Sequence, residues 1–464
     1  MGRKILALLL AAGITVSGAE GVLGAQEEAS SEASAAEEVL SEGSVAESEE
    51  EEAELPPGPE VIESNGIDGW PLSLDINSET GCLMDAETGV ILFNKEMDRQ
   101  MYPASITKIM TSLLAIENND LDEVVEMTEA GVEYVQNGSA SLWTVEGEEF
   151  TVEQLLYGTL IKSANDMATQ LGEYTAGSVD EFVDMMNERA EELGCLHTNF
   201  ENACGMPNDD HMTTAHDMAL ITQEAIKNET FMEIIGTEEY SIPPTNKNQY
   251  RRSFDTHVKL IYDEDFKYDG ILGGKTGYTD AAGNTLVTFA ERDGRTLICV
   301  TMKGDGMDAA AEDHVQLLDY GFDWFENRPA PHGDTAEEGG LVSVPKSAKE
   351  EDLTLVREEP DEEGMVRETV LFHNYEVGHM VRTAEDAARI EAEETPSPEP
   401  GPSVTNAPDP DGPAPSPAPS ETVTIAGYTM SRRAFCAIAA LGGLVLEGVL
   451  LIVITLILKK KKKE

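Results

Sequence analysis

The sequence predicts an α+β domain in the middle of the chain, between two spacers that cannot build a core. Residues 26–66 are rich in Glu, Ser and Ala, residues 395–422 are rich in Pro, and the chain between them has ordinary apolar content. In that middle part, apolar runs typical of buried strands stand at both ends, and runs with helical spacing stand between them. This order favours an α+β fold.

Three strands and one turn are predicted from apolar runs. Residues 89–93 (GVILF) and 285–290 (TLVTFA) read as buried strands, and 296–301 (TLICVT) is the natural partner of the second. Asp293-Gly294 supplies the turn of this hairpin, because Asp-Gly adopts the backbone conformation that two-residue hairpins need.

Helical spacing of apolar residues appears at 106–116 and at 182–193. Beyond the middle domain, short alternating stretches at 353–356 (LTLV) and 369–372 (TVLF) predict a small β-rich module, in which we find no catalytic cluster.

Both ends of the chain carry membrane-related signals. Arg3 and Lys4, the apolar run 5–16 and small residues up to Ala25 predict a cleaved secretory signal peptide. Residues 434–458, charged only at Glu447, form a stretch that as a helix spans roughly 37 Å, enough to cross a bilayer. The Lys cluster at 459–463 marks the cytoplasmic end. We therefore expect an exported, single-pass protein of the cell membrane whose main domain is extracellular.

These signals divide the chain into six predicted segments: a signal peptide (1–25), an acidic disordered linker (26–68), the main domain (69–328), a small β-rich domain (336–393), a Pro-rich linker (394–430), and a transmembrane helix with a Lys-rich tail (431–464).

Charge and cysteine content exclude some classes of partner. The formal net charge of -58 argues against nucleic acid, because affinity for phosphate comes from Lys and Arg. No CxxC or HExxH pair suggests a metal, and we expect neither a metal nor a cofactor. Four cysteines, Cys82, Cys195, Cys204 and Cys299, lie outside the predicted membrane segment. We interpret them as small core residues, because their spacing assigns no disulfide.

The first candidate catalytic pair is Ser105 and Lys108, in the string PASITK that opens a predicted helix. Side chains three residues apart share one helix face, so the amine of Lys108 can reach the hydroxyl of Ser105. A serine hydroxyl needs such a neighbour to act as a nucleophile. Alone, this spacing more often marks a helix start with a solvated lysine.

Two further short motifs follow. Ser163-Ala164-Asn165 stands after an apolar helix, and Lys275-Thr276-Gly277 stands in the Gly-rich string GGKTGYT. Taken separately, the first could be a plain turn, and the second could be the start of a hairpin or a loop for close backbone approach to a ligand.

In this order, Ser-x-x-Lys, Ser-x-Asn and Lys-Thr-Gly resemble the signature of the penicillin-binding and β-lactamase superfamily. The flanking sequence is similar to the low-molecular-mass D-alanyl-D-alanine carboxypeptidases over most of residues 70–325. Matching strings include DAETG at 85–89, MTTAHDMA at 212–219 and LLDYGF at 317–322. The resemblance implies a penicillin-binding protein/β-lactamase-like transpeptidase domain, with a small β-rich C-terminal domain.

The resemblance also implies roles for individual residues. Ser105 would attack the peptide bond between two terminal D-alanines, Lys108 would be its base, and Ser163 would relay a proton to the leaving amine. The implied substrate-binding residues are Asn165, Lys275, Thr276, Gly277 and Tyr278, and backbone N–H groups of Ser105 and Tyr278 would form the oxyanion hole. The substrate would be a peptidoglycan stem peptide, and β-lactams would be covalent inhibitors. For Lys108 to act as a base, its pKa must be lowered by burial and by the charge of Lys275.

The sequence departs from the family pattern at one position that is expected to bind the substrate. Relatives usually carry an Arg shortly before the string LLxxGF, where it helps to hold the terminal carboxylate, but residues 304–316 contain no Arg. Ala309 or Ala310 stands at roughly that place.

Three alternatives remain open. A class A β-lactamase would carry a Glu-x-x-Leu-Asn string, which this chain lacks. A cell-wall transpeptidase usually has a large folded module ahead of the Ser-x-x-Lys motif, where this chain has a spacer. A non-catalytic, membrane-anchored surface protein would not need the complete set of motifs.

Overall fold

The structure is a computed structural model that describes residues 62–73, 75–133, 139–330, 340–361, 364–387, 422–425 and 428–431. The predicted signal peptide and transmembrane helix lie outside these residues, as do most residues of both spacers. Within the described residues, no helix is long and apolar enough to span a bilayer.

The elements follow one another as the sequence predicts, with strands at both ends of the main domain and helices between them. The strands are β1 (Thr80–Asp85), β2 (Ile91–Lys95), β3 (Val124–Glu126), β4 (Glu149–Thr151), β5 (Glu239–Ile242), β6 (Arg252–Asp255), β7 (Ile271–Thr279), β8 (Gly283–Arg292), β9 (Arg295–Gly304), β10 (Phe325–Pro329), β11 (Leu341–Pro345), β12 (Leu353–Arg357), β13 (Met365–Phe372), β14 (Tyr375–Thr383), β15 (Thr422–Ile425) and β16 (Tyr428–Ser431).

The α-helices are α1 (Lys108–Asn118), α2 (Glu129–Glu133), α3 (Val152–Leu160), α4 (Asn165–Ala176), α5 (Val179–Glu192), α6 (Ala215–Ala225), α7 (Glu229–Ile235), α8 (Lys259–Tyr262) and α9 (Met307–Trp324). Short 3-10 helices stand at Glu63–Gly66, Ala104–Thr107 and Glu350–Asp352.

A five-stranded antiparallel sheet, in the order β2-β1-β9-β8-β7, forms the centre of the main domain. Alternate side chains enter different cores: Val287 and Phe289 pack with α1 and α6 residues on one face, whereas Leu286 and Ala290 pack with α9 on the other. Because both faces are covered, β8 and β9 read as continuous apolar runs in the sequence. The α+β prediction is confirmed.

The predicted hairpin between β8 and β9 is confirmed in detail. Arg292 pairs with Arg295, and the two residues between them, Asp293 and Gly294, have φ values of 57° and 80°. Positive φ at both central residues is the geometry that an Asp-Gly turn favours.

The four described cysteines are free and buried, as the sequence interpretation expects. Cys82 lies in the core between the sheet and the central helices, and Cys299 lies in the core beneath α9.

The folded part of the chain begins before residue 69. Ile62 forms a β-bridge with Lys95, and the hydroxyl of buried Ser64 accepts a hydrogen bond from the backbone N–H of Asn94. Residues 62–68, assigned from composition to the acidic linker, therefore pack against β2. At the other end, the hairpin β15–β16 falls where composition predicts the last part of the Pro-rich linker.

The small β-rich module consists of the sheet β12-β13-β14 and of β11, which pairs with β10. Trp70 connects this module to the central sheet. The indole packs against Phe325, Phe372 and Tyr375, with ring centroids 4.9, 5.9 and 5.0 Å away, and its Nε1–H donates to the carbonyl of Leu92. The module and the main domain thus share one apolar core.

We expect the substitution Trp70→Ala to lower the free energy of unfolding by about 3–5 kcal/mol, because it removes the ring that joins the two parts. Trp70→Phe keeps an aromatic ring and loses only the hydrogen bond to Leu92, so its cost is about 1 kcal/mol beyond the loss of ring volume. Denaturant unfolding of the two variants measures both values. Equal losses for Ala and Phe would contradict the role given to the ring.

Candidate active site

Ser105 lies on the 3-10 helix Ala104–Thr107, and Lys108, the first residue of α1, closes its last turn by donating its backbone N–H to the carbonyl of Ser105. In a 3-10 helix, residues three apart eclipse one another, which brings the Lys108 Nζ to 2.9 Å from the Ser105 Oγ. The sequence predicts an ordinary helix start here, and the tighter turn aligns the pair more closely than an α-helix would. Ala104, just before Ser105, has φ of 51°, a conformation that a non-glycine residue adopts only when its surroundings enforce it.

The amine of Lys108 is fully buried and has two further partners. Its Nζ lies 2.6 Å from the carbonyl oxygen of Cys204 and 2.8 Å from the Oδ1 of Asn165. A neutral amine has two N–H groups, and these two acceptors use both. Its lone pair is then directed at Ser105, which can donate its hydroxyl proton.

Burial lowers the pKa of Lys108 to about 8, and nearby Cys204 and Asp166 oppose this shift. Lowering by burial agrees with the sequence expectation. The charge of Lys275 does not appear among the causes, so burial accounts for the shift. Lys275 does respond to the charge of its neighbour: burial and the positive charge of Lys108 lower the pKa of Lys275 well below its usual value.

Ser163, just before α4, and Lys275, on β7, form a second hydrogen-bonded pair. The Lys275 Nζ donates to the Ser163 Oγ at 2.9 Å and to the carbonyl of Thr276 at 2.8 Å. Ser163 stands between α3 and α4 with φ of 61°. A strained backbone is common where a functional side chain must be aimed.

Two glycines, Gly277 and Gly205, allow neighbouring backbone segments to approach Ser105 and Ala104 closely. A Cβ on Gly277, in the edge strand β7, would lie 2.8 Å from the backbone nitrogen of Ser105. A Cβ on Gly205, which has φ of 84°, would lie 1.8 Å from the carbonyl oxygen of Ala104. Both positions therefore require glycine.

Asn165 begins α4 and contacts both Lys108 and Met206. Its Oδ1 faces Lys108, and its Nδ2 lies 3.5 Å from the Sδ of Met206, a weak acceptor that a better one can replace. The next residue, buried Asp166, accepts hydrogen bonds from Ser141 and Thr144 and so holds the loop above the site.

The structure brings together most of the residues predicted from the motifs: Lys108 contacts Ser105 and Asn165, Lys275 contacts Ser163, and Gly277 lies beside Ser105. Thr276 is buried on β7, and Tyr278 is exposed, with its hydroxyl donating to Asp280 at 3.1 Å; the structure records no contact of either side chain with Ser105 or Lys108. Sequence reasoning missed Cys204, Met206 and Asp166. For Asp166 the only signal was its place directly after the Ser-x-Asn motif.

Residues 69–306 match the family model described as D-alanyl-D-alanine carboxypeptidase. The chain belongs to this family. The matched segment is a D-alanyl-D-alanine carboxypeptidase domain, and it contains every site residue named above.

Relatives in several bacteria support the assignment. Similarity to the D-alanyl-D-alanine carboxypeptidase DacF of Bacillus subtilis is 31% identity over 54% of this chain and 64% of DacF, so less than two thirds of that relative is covered. Similarity to the D-alanyl-D-alanine carboxypeptidase of Streptomyces sp. strain K15 is 32% over 52% of this chain and 86% of the relative.

Solved structures share the fold. The Streptomyces K15 DD-transpeptidase superposes with a TM-score of 0.51 at 29% identity, covering 55% of this chain and 100% of that one. The D-alanyl-D-alanine carboxypeptidase of Mycobacterium tuberculosis H37Rv gives 0.50 at 28%, covering 55% of this chain and 95% of that one. The family's penicillin-binding fold is thus shown for the main domain.

We expect the rate of acylation by a fluorescent penicillin to rise with pH and to level off above about 8, the pKa of Lys108. Below that pKa the amine is protonated, and the competent fraction falls about tenfold per pH unit. The acylation rate at each pH is measured by gel fluorescence of samples quenched at fixed times. The free energy of unfolding at each pH is the control. A rate independent of pH would contradict the role of Lys108 as base.

The substitution Gly205→Ala should reduce acylation by about a hundredfold, because its Cβ forces the Ala104 carbonyl, and with it Ser105, out of place. The free energy of unfolding should fall by about 1–3 kcal/mol. Gly66→Ala is the matched control, since no atom lies within 4 Å of its added Cβ. Undiminished acylation in Gly205→Ala would refute the close-packing argument.

Proposed function

We propose that this protein is a membrane-tethered serine D-alanyl-D-alanine carboxypeptidase that removes the terminal D-alanine from peptidoglycan stem pentapeptides. The observation that carries the proposal is the buried Lys108 amine, which lies 2.9 Å from the Ser105 hydroxyl and within hydrogen-bond distance of the Cys204 carbonyl and the Asn165 amide oxygen. This is the arrangement of an activated nucleophile and its base.

The proposed reaction begins with attack of the Ser105 oxygen on the carbonyl of the penultimate D-alanine, while Lys108 takes the hydroxyl proton. The oxyanion forms beside the backbone nitrogens of Ser105 and Tyr278, and such donors contribute about 2.7–4 kcal/mol each in serine hydrolases. Ser163 passes a proton to the leaving amine. The C–N bond breaks, D-alanine departs, and an ester to Ser105 remains.

Substrate orientation falls to the residues around this pair. Asn165 would exchange its weak contact with the Met206 sulfur for a bond from Nδ2 to a peptide carbonyl. Lys275 and Thr276 would receive the terminal carboxylate, and Gly277 leaves room for the peptide beside β7. Water then hydrolyses the ester and frees the shortened stem.

β-Lactam antibiotics would acylate the same serine. Their ring opens on attack, but the leaving nitrogen stays attached and blocks the approach of water. We expect the adduct to be long-lived, unlike that of a β-lactamase.

The membrane part of the proposal rests on sequence. The basic and apolar N-terminus supports export, and the apolar run 434–458 followed by lysines supports a C-terminal anchor with the enzyme outside the cell. The Pro-rich stretch between would act as a stalk.

A DD-transpeptidase is the second candidate, because the similar Streptomyces K15 protein carries that name in its crystal structure. Both activities share the acyl-enzyme and differ in whether water or an amine accepts the acyl group.

Mass spectrometry of the purified protein tests the proposal. We expect a stable penicilloyl adduct on Ser105 that is absent in Ser105→Ala, and release of D-alanine from a pentapeptide ending in D-Ala-D-Ala. Adding an amine acceptor such as glycine distinguishes the second candidate, which would give a glycine-terminated peptide in place of hydrolysis.

Other outcomes point elsewhere. Rapid penicillin turnover without release of D-alanine would favour a β-lactamase-like hydrolase. Reaction with neither compound, in protein shown to be folded, would favour the non-catalytic surface protein.

A further inference from the structure

The loop 199–213, between α5 and α6, packs against the turn that carries Ser105 and Lys108. A β-bridge between Asn199 and Met212 pairs the two ends of this loop. Because its ends are paired, the loop has a fixed shape of its own. A contact made from inside the loop therefore restrains the turn that it reaches.

His211, in this loop, makes such a contact with Thr107, the residue just before Lys108. The Nε2 of the imidazole lies 2.9 Å from the Oγ1 of Thr107, and both residues are buried. On the other side of the ring, Nδ1 accepts a hydrogen bond from the backbone N–H of Glu201 at 2.8 Å. The imidazole thus joins the first residues of the loop to the turn that carries the nucleophile.

The backbone N–H of Glu201 fixes the position of the proton on this imidazole. A backbone N–H can only donate, so Nδ1 is the acceptor, and the neutral ring carries its proton on Nε2. The Nε2–H then donates to the hydroxyl oxygen of Thr107. A charged ring would turn an N–H of Nδ1 against the N–H of Glu201. Burial, with the charge of Lys108, lowers the pKa of His211 to about 4, in agreement with a neutral ring.

The turn needs support from outside because its own backbone is strained. Ala104, at its start, has φ of 51°, which persists only when the surroundings enforce it. Thr107 takes no part in the proposed chemistry, but it lies between Ser105 and Lys108 in the chain. A displacement of about 1 Å in such a group can cost about a hundredfold in rate. A contact that holds Thr107 therefore bears directly on catalysis.

We propose that His211 is a positioning residue for the nucleophile: its neutral imidazole, donating from Nε2 to Thr107, holds the turn in which Ser105 meets Lys108. The inference rests on the proposed function, in which Ser105 is the residue that is acylated. His211 itself touches no substrate. Its loss should therefore slow the acylation step and leave the binding that precedes it unchanged.

Acylation by a fluorescent penicillin at several concentrations separates the acylation rate constant from the Kd of the complex that precedes it. In His211→Asn, the amide oxygen can replace Nδ1 as acceptor for Glu201, but the side chain is too short to reach Thr107. We expect the rate constant to fall about tenfold or more and the Kd to change less than about twofold. His211→Gln places a donor near the Nε2 position and should restore most of the rate. An unchanged rate constant in His211→Asn would overturn the proposal.

Thr107→Val removes the same contact from its other end and should cause a loss similar to that of His211→Asn. The double variant should lose no more than either single variant, because both changes remove one shared contact. Additive losses would show that His211 acts by another route. Thr107→Ser keeps the hydroxyl, so it extends the test to the case in which His211→Asn does not fold. Equal rates in Thr107→Ser and Thr107→Val would then refute the proposal.

His314→Asn is the matched control. His314 is also a buried histidine between two hydroxyls, those of Thr288 and Thr301, at 2.7 and 3.0 Å, but these lie on β8 and β9. Its substitution should lower the Tm, as His211→Asn does, and leave the acylation rate constant unchanged. A loss of acylation in both variants, in proportion to the loss in Tm, would indicate a merely structural role for His211.

NMR of protein labelled with ¹⁵N-histidine tests the contact without any reaction, and so separates this proposal from the proposed function. We expect an Nε2–H signal of His211, identified by its loss in His211→Asn, that shifts in Thr107→Val. A signal that Thr107→Val leaves in place would refute the contact. A wild-type protein that reacts with neither penicillin nor peptide would remove the proposed function, and the signal would still report whether His211 holds the turn.

Discussion

The catalytic site depends on the placement of one amine, that of Lys108, in a fully enclosed position. Water is replaced there by the Cys204 carbonyl and the Asn165 amide oxygen, which fix the direction of the remaining lone pair. Burial disfavours the charged form, so the same packing that orients the amine also increases its neutral fraction, the form that can take the proton of Ser105. Lys275 is subject to the same constraint, because two ammonium groups cannot share so small an enclosed volume at little cost.

This placement explains several features of the fold that would otherwise be unfavourable. Ala104 and Ser163 have positive φ values, and Gly205 and Gly277 bring backbone almost into contact with the nucleophile. Such strain persists only where surrounding packing is strong enough to hold it. The central sheet, covered on both faces, and the helices α1 and α4 provide that packing. The packing thus holds the catalytic groups in place without a ligand, as preorganised stabilisation of a transition state requires.

The sequence predicts those parts of the structure whose cause lies in neighbouring residues. The runs 285–290 and 296–301 are apolar because both faces of the sheet are buried, and the Asp293-Gly294 pair is itself typical of a two-residue hairpin turn. The spacing of Ser105 and Lys108 already implied contact. By contrast, β7 carries three glycines that disfavour a strand, and one of them, Gly277, is required because the backbone of Ser105 lies against it. The carbonyl of Cys204 leaves no trace in the sequence at all, since every residue carries one. Residues 62–68 look polar and fold only through a few contacts with β2.

The buried thiols have a consequence for how the fold can be observed. Cys82 and Cys299 stand on neighbouring strands, β1 and β9, yet they belong to opposite sides of the central sheet. Neither is bonded to another cysteine, so both thiols remain available for chemical labelling if the layer that covers them opens. Each thiol is therefore a natural reporter of its own layer: a small alkylating reagent would mark Cys82 when the helical layer lifts from the sheet, and Cys299 when α9 and the small β-rich module do so.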